Sequence, residues 1–531
     1  MAGDVFARGL AGVDWAVISL YALVVIGLGL WAGRRQASGT DFFLASRDSS
    51  WPVIGLSLLA SNISSATLIG LAGAAYANGI AVYNYEWMAS VILVFFCIFF
   101  LPFILRAQVY TMPEFLERRF SRGTRAYFSG LTIFLSVFVD KAATLYGGAL
   151  MLSLIFPGVP LWQMIVALAV LAGIYTIVGG LKAVLYTEVL QAVILLGAAV
   201  VLSFAAFDAV GGWDRIIATV PAYKLSLIRP IDDPSVPWTG LLTGVPILGF
   251  YFWCTNQFMV QRVLSARNID HGRWGSLFAG LLKLPVLWLM VLPGTCAILL
   301  YPALKTPDLV YPTLMFDLLP NGLLGLVVAG FLAAIMSATA STFNSAATLF
   351  TMDFARHWNP DLDGKKLVLT GRLATLVFLL IAVVVAPQIE RFGSVWQYLQ
   401  GALSYTAPPI VAVFLIGLFW PRANARGASW AIGAGLAMGI GLFLAINVTG
   451  SLKIHFLHVA PILLLGSALA MVVGSLTAPP PPPEKTAGLL WNRGFFDAET
   501  RELAHTPAWA NYRYQAITLL IATAVIVWRF A

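Results

Sequence analysis

Carrying an α-helix across the hydrocarbon core of a bilayer takes about 20 consecutive apolar residues, and this sequence meets that requirement repeatedly. About fourteen such runs follow one another, separated mostly by short charged or Pro/Gly loops. They lie at 15–31, 51–76, 82–105, 126–156, 161–178, 183–207, 238–260, 275–301, 323–351, 367–385, 395–419, 428–446, 456–473 and 514–530. Inside lipid, backbone polar groups are satisfied only within helices or a closed barrel, and apolar runs of this length are helical. The expected fold class is an all-α membrane protein of about 14 transmembrane helices. Composition agrees, because 60% hydrophobic and 11% charged residues lie outside the range of soluble domains.

Cations gather in alternate loops: Arg34, Arg35 and Arg47; Arg118, Arg119, Arg122 and Arg125; Arg262, Arg267 and Arg273; Lys365 and Lys366; Arg422 and Arg426. The positive-inside rule makes those loops cytoplasmic, so that an even number of spans leaves both termini extracytoplasmic in a plasma (cytoplasmic) membrane. The net charge of +8 thus belongs to loops and not to a basic nucleic-acid-binding face, and no nucleic-acid partner is expected. The first run ends in Gly-Arg-Arg and lacks the leading charge and cleavage site of a signal peptide, so it reads as a retained helix. Cys97, Cys254 and Cys296 all sit in apolar runs, as packing residues without metal spacing. Residues 478–506, with consecutive prolines from Pro479 to Pro483, read as an extended cytoplasmic connector.

Two features recur five spans apart. The second run is interrupted by Ser61, Asn62, Ser64, Ser65 and Thr67, and the seventh by Gly244, Pro246 and Gly249 and then Thr255, Asn256 and Gln257. The fourth and ninth runs are both unusually long. Because five is odd, two such blocks insert with opposite orientation, the inverted-repeat arrangement of transporters. The expected division is an extra helix and loop at 1–50, a first five-helix repeat at 51–207, an extracytoplasmic loop at 208–237 and a second repeat at 238–420. Two accessory helices at 421–475, a Pro-rich linker at 476–511 and a last helix at 512–531 complete it.

A charge at the centre of a membrane helix costs on the order of 3 kcal/mol, so each one needs a partner or an aqueous cavity. Glu86, Lys283 and Gln400 fall inside apolar runs, as does Asn62 at the break of the second. A carboxylate, an ammonium and two amides beside an aromatic such as Trp253 suit a neutral polyhydroxylated ligand, whose hydroxyls both donate and accept and whose C–H faces stack on rings. Interhelical packing would use the same residue types. Asp140 and Lys141 also fall mid-span, and because neighbouring residues on a helix do not face each other, each is expected to have its own partner. The histidines show no ligand spacing. With no phosphate-cradling Gly-x4-Gly-Lys-Ser/Thr loop and no metalloprotease motif, neither a nucleotide-driven pump nor an enzyme is expected.

These residues resemble the sodium/solute symporter family, in particular its sodium/glucose cotransporter-like branch. The resemblance rests on Ala-Ser-Asn-Ile-Ser at 60–64, Tyr-Glu-Trp-Met at 85–88, Tyr-Thr-Met-Pro-Glu-Phe-Leu-Glu-Arg-Arg-Phe at 110–120 and Gly-Gly-Leu-Lys-Ala-Val at 179–184. It extends to Phe-Trp-Cys-Thr-Asn-Gln at 252–257, Phe-Asn-Ser-Ala-Ala-Thr-Leu-Phe-Thr-Met-Asp at 343–353 and Pro-Pro-Ile-Val-Ala-Val-Phe-Leu-Ile-Gly-Leu-Phe-Trp at 408–420. What it implies is a LeuT-like core of two inverted five-helix repeats plus flanking helices. A monosaccharide such as glucose or galactose would be contacted at mid-membrane by Asn62, Thr67, Glu86, Trp253, Lys283 and Gln400, and imported with sodium by alternating access. No cofactor is implied; the partners are the sugar, the sodium ion and the lipid bilayer, with the oligomeric state left open.

The resemblance also marks departures. Phe252 stands where the inner gate usually has a tyrosine, Thr67 replaces a larger polar side chain, and Gly249 replaces a polar contact. The implied sodium ligands are the carbonyls of Ala60, Ile63 and Ala334 and the hydroxyl of Ser337, but Ala338 lacks the second hydroxyl that the family has there. Glu188 replaces an aspartate and, with Asp140, is a candidate for a proton or ion path; the alternative is that Glu188 snorkels to water and that Thr339 or a water completes the site. The competing functional readings are a proton-coupled or uncoupled sugar carrier, and a sensor or sugar-gated channel that keeps the carrier fold.

Overall fold

The computed structural model describes residues 9–33, 39–156, 158–304, 306–392 and 395–531, so that Arg34 and Arg35, used above to orient the chain, lie outside the described residues. The expected apolar runs are helices or bent helix pairs, except that those at 161–178 and 183–207 share one helix turned at Gly180. The N-terminal helix α1 (Gly12–Ala32) is followed by α2 (Trp51–Asn62) and α3 (Ser65–Asn78), which meet at 63°. Next come α4 (Ile80–Ala107), the short α5 (Met112–Arg119), α6 (Arg122–Ile155) and α7 (Leu161–Val210). The second half begins with α8 (Trp238–Phe250) and α9 (Gln257–Leu264), then α10 (Ile269–Lys283) and α11 (Leu287–Leu300), bent by 41°. Helices α12 (Leu323–Trp358), α13 (Gly364–Ile389), α14 (Val395–Thr406), α15 (Pro408–Phe419), α16 (Ala425–Val448), α17 (Phe456–Leu476), α18 (Arg493–Leu503) and α19 (Tyr512–Arg529) complete the chain. Among the described residues, eight helices are long and apolar enough to cross a membrane, or up to eleven if each bent pair is one span.

Local chemistry explains the breaks. Ile63 and Ser64 leave helical geometry, and Ser64 Oγ accepts from Thr67 N at 3.3 Å, so a serine caps the new helix in place of a continuing backbone bond. Between α10 and α11, Pro285 has no N–H to continue the ladder. In α7 the turn falls at Gly180 (φ 55°), where a Cβ would lie 2.6 Å from the Phe42 carbonyl oxygen, so only glycine fits both the angle and the contact. The long α6 and α12 span 34 and 36 residues, as their apolar runs predict.

The expected interruption of the seventh span holds at Asn256 and fails before it. Helix α8 continues through Gly244, Pro246 and Gly249, and the chain leaves helical geometry at Asn256, one of the residues expected to break it, whose side chain accepts from Phe258 N at 3.4 Å. The Pro-rich connector is also corrected: it is not extended throughout but contains α18, and it docks. Lys485 Nζ donates to the Glu117 carbonyl at 2.7 Å, Trp491 N to the Leu418 carbonyl at 3.1 Å, and Glu499 meets Arg273 and Arg513. Its faces alternate in polarity with helical period, and that amphipathic pattern needed the core's Arg273 to become a helix with a place.

Two apolar cores form around this framework, one drawing on α1, α3, α7, α11 and α12, the other on α4, α8, α9, α10 and α15. Helix α7 packs along α12, and α1 against both. Buried Asp14 of α1 accepts from the amides of Gly322 at 2.6 Å and Gly325 at 2.8 Å, capping the start of α12 from another helix.

Candidate ligand cavity and cation site

Five elements converge on one cavity of about 130 Å3. At about 10–15 Å3 per water position it holds on the order of ten waters, a size that suits a monosaccharide. Asn62 and Thr67 reach it from the α2–α3 break, Glu86 from α4, Phe252 and Trp253 from the turn after α8, Lys283 from the end of α10 and Gln400 from α14. All six residues expected to touch ligand therefore line the same space, together with Phe252 and Asp140.

Lys283 organises the site. Its ammonium donates to Glu86 Oε2 at 2.5 Å and to Asn62 Oδ1, and lies 5.6 Å from the Trp253 ring centroid. The lysine side chain is 1% exposed and that of Glu86 6%, so the pair neutralises itself where either charge alone would be costly. Among the described residues, Glu86 Oε1 and the Gln400 side chain have no hydrogen bond. What remains presented to the cavity is an acceptor, an amide that both donates and accepts, and the rings of Trp253 and Phe252, packed edge to face at 5.3 Å.

Asp140 overturns an expectation. Its Oδ2 lies 3.2 Å from Lys141 Nζ, so the adjacent residues are paired with each other and not with separate partners. The reason is local: residues 135–141 form a widened π turn, in which successive side chains are separated by a smaller angle than in an α-helix, and the lysine chain is long enough to close the gap. Tyr85, Tyr251 and Asn256 also line the cavity; none was expected to touch ligand, and Asn256 was singled out only as a helix breaker. Tyr251, one position before Phe252, offers the only signal: the tyrosine missing at the expected gate position is its neighbour.

The implied sodium ligands lie where α2 and α3 part beside α12. Among the described residues, no backbone hydrogen bond from Ser64 or Thr67 closes back onto the Ala60 or Ile63 carbonyls, because Thr67 N turns to the Ser64 side chain instead. On α12, among the described residues, the buried hydroxyl of Ser337 has no hydrogen-bond partner, as is also true of Thr339, Thr342, Ser345 and Thr351 on the same helix. Buried hydroxyls without partners are rare and costly. Oxygens left open in this way are the donor set a hard cation takes.

Glu188 does not snorkel. It is fully buried, its Oε1 2.7 Å from Arg262 Nη2 and 2.7 Å from Ser61 Oγ, with Ser57 and Ser341 donating to it as well. The cluster ties α2, α7, α9 and α12 together, and Ser341 Oγ reaches Ser61 Oγ at 3.0 Å.

Comparison with known proteins places this geometry. The profile described as "Sodium:solute symporter family" matches residues 42–435. Sodium/glucose cotransporter 1 of Oryctolagus cuniculus is 36% identical over 90% of this chain and 81% of its own length. The sodium/mannose cotransporter SLC5A10 of Bos taurus is 35% identical, over 91% of this chain and 90% of its own. The solved structure of a Na+-coupled sialic acid symporter, substrate-bound and outward-open, superposes with a TM-score of 0.78 at 21% identity, covering 88% of this chain and 99% of that one. That last likeness concerns the fold.

Proposed function

The chain belongs to the sodium:solute symporter family, and from that premise we propose that it imports a monosaccharide together with sodium by alternating access. Sodium-coupled solute symport, a multi-pass membrane setting and the absence of enzymatic activity come with the family. The sugar is our reading. One observation carries it: Asn62, Glu86, Trp253, Lys283 and Gln400 converge on a single cavity in which the charges cancel and acceptor, donor and ring remain free. A neutral polyol uses all three, whereas an ionic substrate would meet no unpaired counter-charge. Glucose and mannose cotransporters among the similar proteins support the same class.

In this mechanism sodium binds the carbonyls of Ala60, Ile63 and Ala334 and the hydroxyl of Ser337, and a water takes the place of the hydroxyl that Ala338 lacks. Sodium there bridges the α2–α3 break to α12 and favours the conformation that admits sugar between the repeats at 51–207 and 238–420. Sugar then fills the cavity against Trp253, and the repeats rock with Phe252 as the inner gate. Sodium shifts that equilibrium only by its differential affinity for the two states. We assign the Arg- and Lys-bearing loops to the cytoplasmic side of the plasma membrane, with both termini outside.

Equilibrium binding of labelled glucose, galactose and mannose to the purified protein, in sodium and in choline, tests this reading. Binding of at least one hexose that depends on sodium and is lost in Lys283→Met is expected. Sodium-dependent binding of a charged solute in preference to every hexose would sink the sugar assignment.

A further inference from the structure

A second cavity, of about 620 Å3, opens where the ends of α5, α6 and α12 meet, and transport as described makes no use of it. Its wall carries Arg118, Arg122, Arg125, Arg356 and His357 against three carboxylates. The carboxylates are already engaged. Glu114 accepts from Arg118 at 2.7 Å, Glu117 from Arg125 at 2.6 Å, and buried Asp353 from Arg125 at 2.5 Å and Thr111 at 2.9 Å. Among the described residues, no hydrogen bond or ion pair occupies Arg122, Arg356 or His357. Two guanidiniums are therefore left to face the cavity, and the chemistry they fit is a phosphate, whose oxygens match the planar fork.

What adjoins the cavity narrows the source of that phosphate. Ala126 lines the rim, and Ala126, Gly130 and Phe134 are exposed one turn apart along α6, with open space over Gly130 and Phe134 51% exposed. Helix α13, packed beside α6, turns Leu373, Val377 and Leu380 outward. Trp358, 69% exposed at the end of α12, has the amphipathic ring that settles at the headgroup level. A cationic pocket that runs into an apolar strip under an interfacial tryptophan matches a headgroup joined to its acyl chain, whereas a soluble phosphate needs only the pocket. We propose that this cavity binds the phosphate of an anionic phospholipid through Arg122 and Arg356, with an acyl chain along the Ala126–Phe134 face of α6.

The test uses the full chain, delipidated in detergent, with unfolding temperature read against short-chain phosphatidylglycerol, short-chain phosphatidylcholine and inorganic phosphate. Phosphatidylglycerol is expected to raise it and the other two to leave it unchanged. The double variant Arg122→Gln/Arg356→Gln should keep its own unfolding temperature but bind phosphatidylglycerol more weakly, by roughly tenfold for each guanidinium lost. Lys365→Gln/Lys366→Gln removes the same charge from the same end outside the cavity, and should keep the full response. Equal loss in the lysine variant means diffuse surface charge, an equal shift with phosphatidylcholine means general solvation, and an equal shift with phosphate means a soluble anion; each overturns the proposal, as does no shift at all. Should the double variant fail to fold, the single variants are compared by counting retained phosphatidylglycerol with native mass spectrometry, where undiminished retention in both is the refuting result.

Discussion

Glu86 with Lys283 and Glu188 with Arg262 are both carboxylate–cation pairs deep in apolar helices, yet they differ in what they leave unspent. Among the described residues, Lys283 is the one donor to Glu86, through Oε2, and the carboxylate lines a cavity. Glu188 accepts from Ser57, Ser61 and Ser341 as well as from two nitrogens of Arg262, and it is fully buried. Taking two charges out of water is costly in both places. In the first, the incomplete shell is capacity offered to a ligand; in the second, the complete shell fastens the two broken helices to α7 and α12. Burial of a charged pair therefore says little about its role, and the count of unused lone pairs says more.

The largest effect that would break this comparison is on stability. Arg262→Met leaves Glu188 buried without its cation, and a loss of about 3–5 kcal/mol is expected, read as a collapse of unfolding temperature and of folded yield. Glu86→Gln leaves the Lys283 ammonium without its counter-charge but with an amide oxygen still accepting from it and a cavity beside it, so a smaller loss of stability than in Arg262→Met is expected, while sugar affinity falls by roughly 10–100-fold, the worth of one or two hydrogen bonds to a charged group. If Glu86→Gln unfolds the protein and Arg262→Met only slows uptake, the roles are reversed.

A smaller effect sharpens the comparison at the cation site. Ser337→Ala removes one oxygen of the proposed sodium shell, so the sodium concentration for half-maximal uptake should rise by roughly tenfold. Sugar affinity at saturating sodium should stay unchanged. A Ser337→Ala protein with parental sodium dependence would remove Ser337 from the site.

The smallest effect concerns a third pair that lies outside the spans. Burial pushes the Glu499 carboxyl up, but the Arg273 guanidinium, the Tyr512 hydroxyl and Arg513 more than offset it, leaving the group below its usual range. A depressed carboxyl pKa gives stability that is full above the unfolded value of about 4.3 and is lost as pH falls through the folded one. Acidification below about pH 4 should therefore loosen α18 from α10 and α19. Faster hydrogen exchange over residues 493–503 at low pH, absent in Glu499→Gln, would register it.

Much of this site was legible because charge inside apolar runs is conspicuous. Asn62, Glu86, Lys283 and Gln400 stand out against their neighbours, and the structure brings them to one cavity. The α2–α3 break was legible for the same reason, since a cluster of serines offers the backbone local alternatives to the helix. Pro246 misled because a proline costs a helix one hydrogen bond and need not end it, whereas Asn256, also expected to interrupt this span, does so because its side chain caps the next helix. The Asp140–Lys141 pair was hidden because it depends on a π turn, which no side-chain pattern announces. Glu499 was hidden because its partner Arg273 lies 226 residues away in sequence and is reached only once the chain has folded.

Uptake of labelled hexose into proteoliposomes, under an inward sodium gradient, an inward proton gradient or none, tests the central claim most directly. Accumulation above equilibrium with sodium alone, lost in Glu86→Gln, is the predicted result. Accumulation driven by protons, equilibration without accumulation, or no flux of any hexose would contradict it.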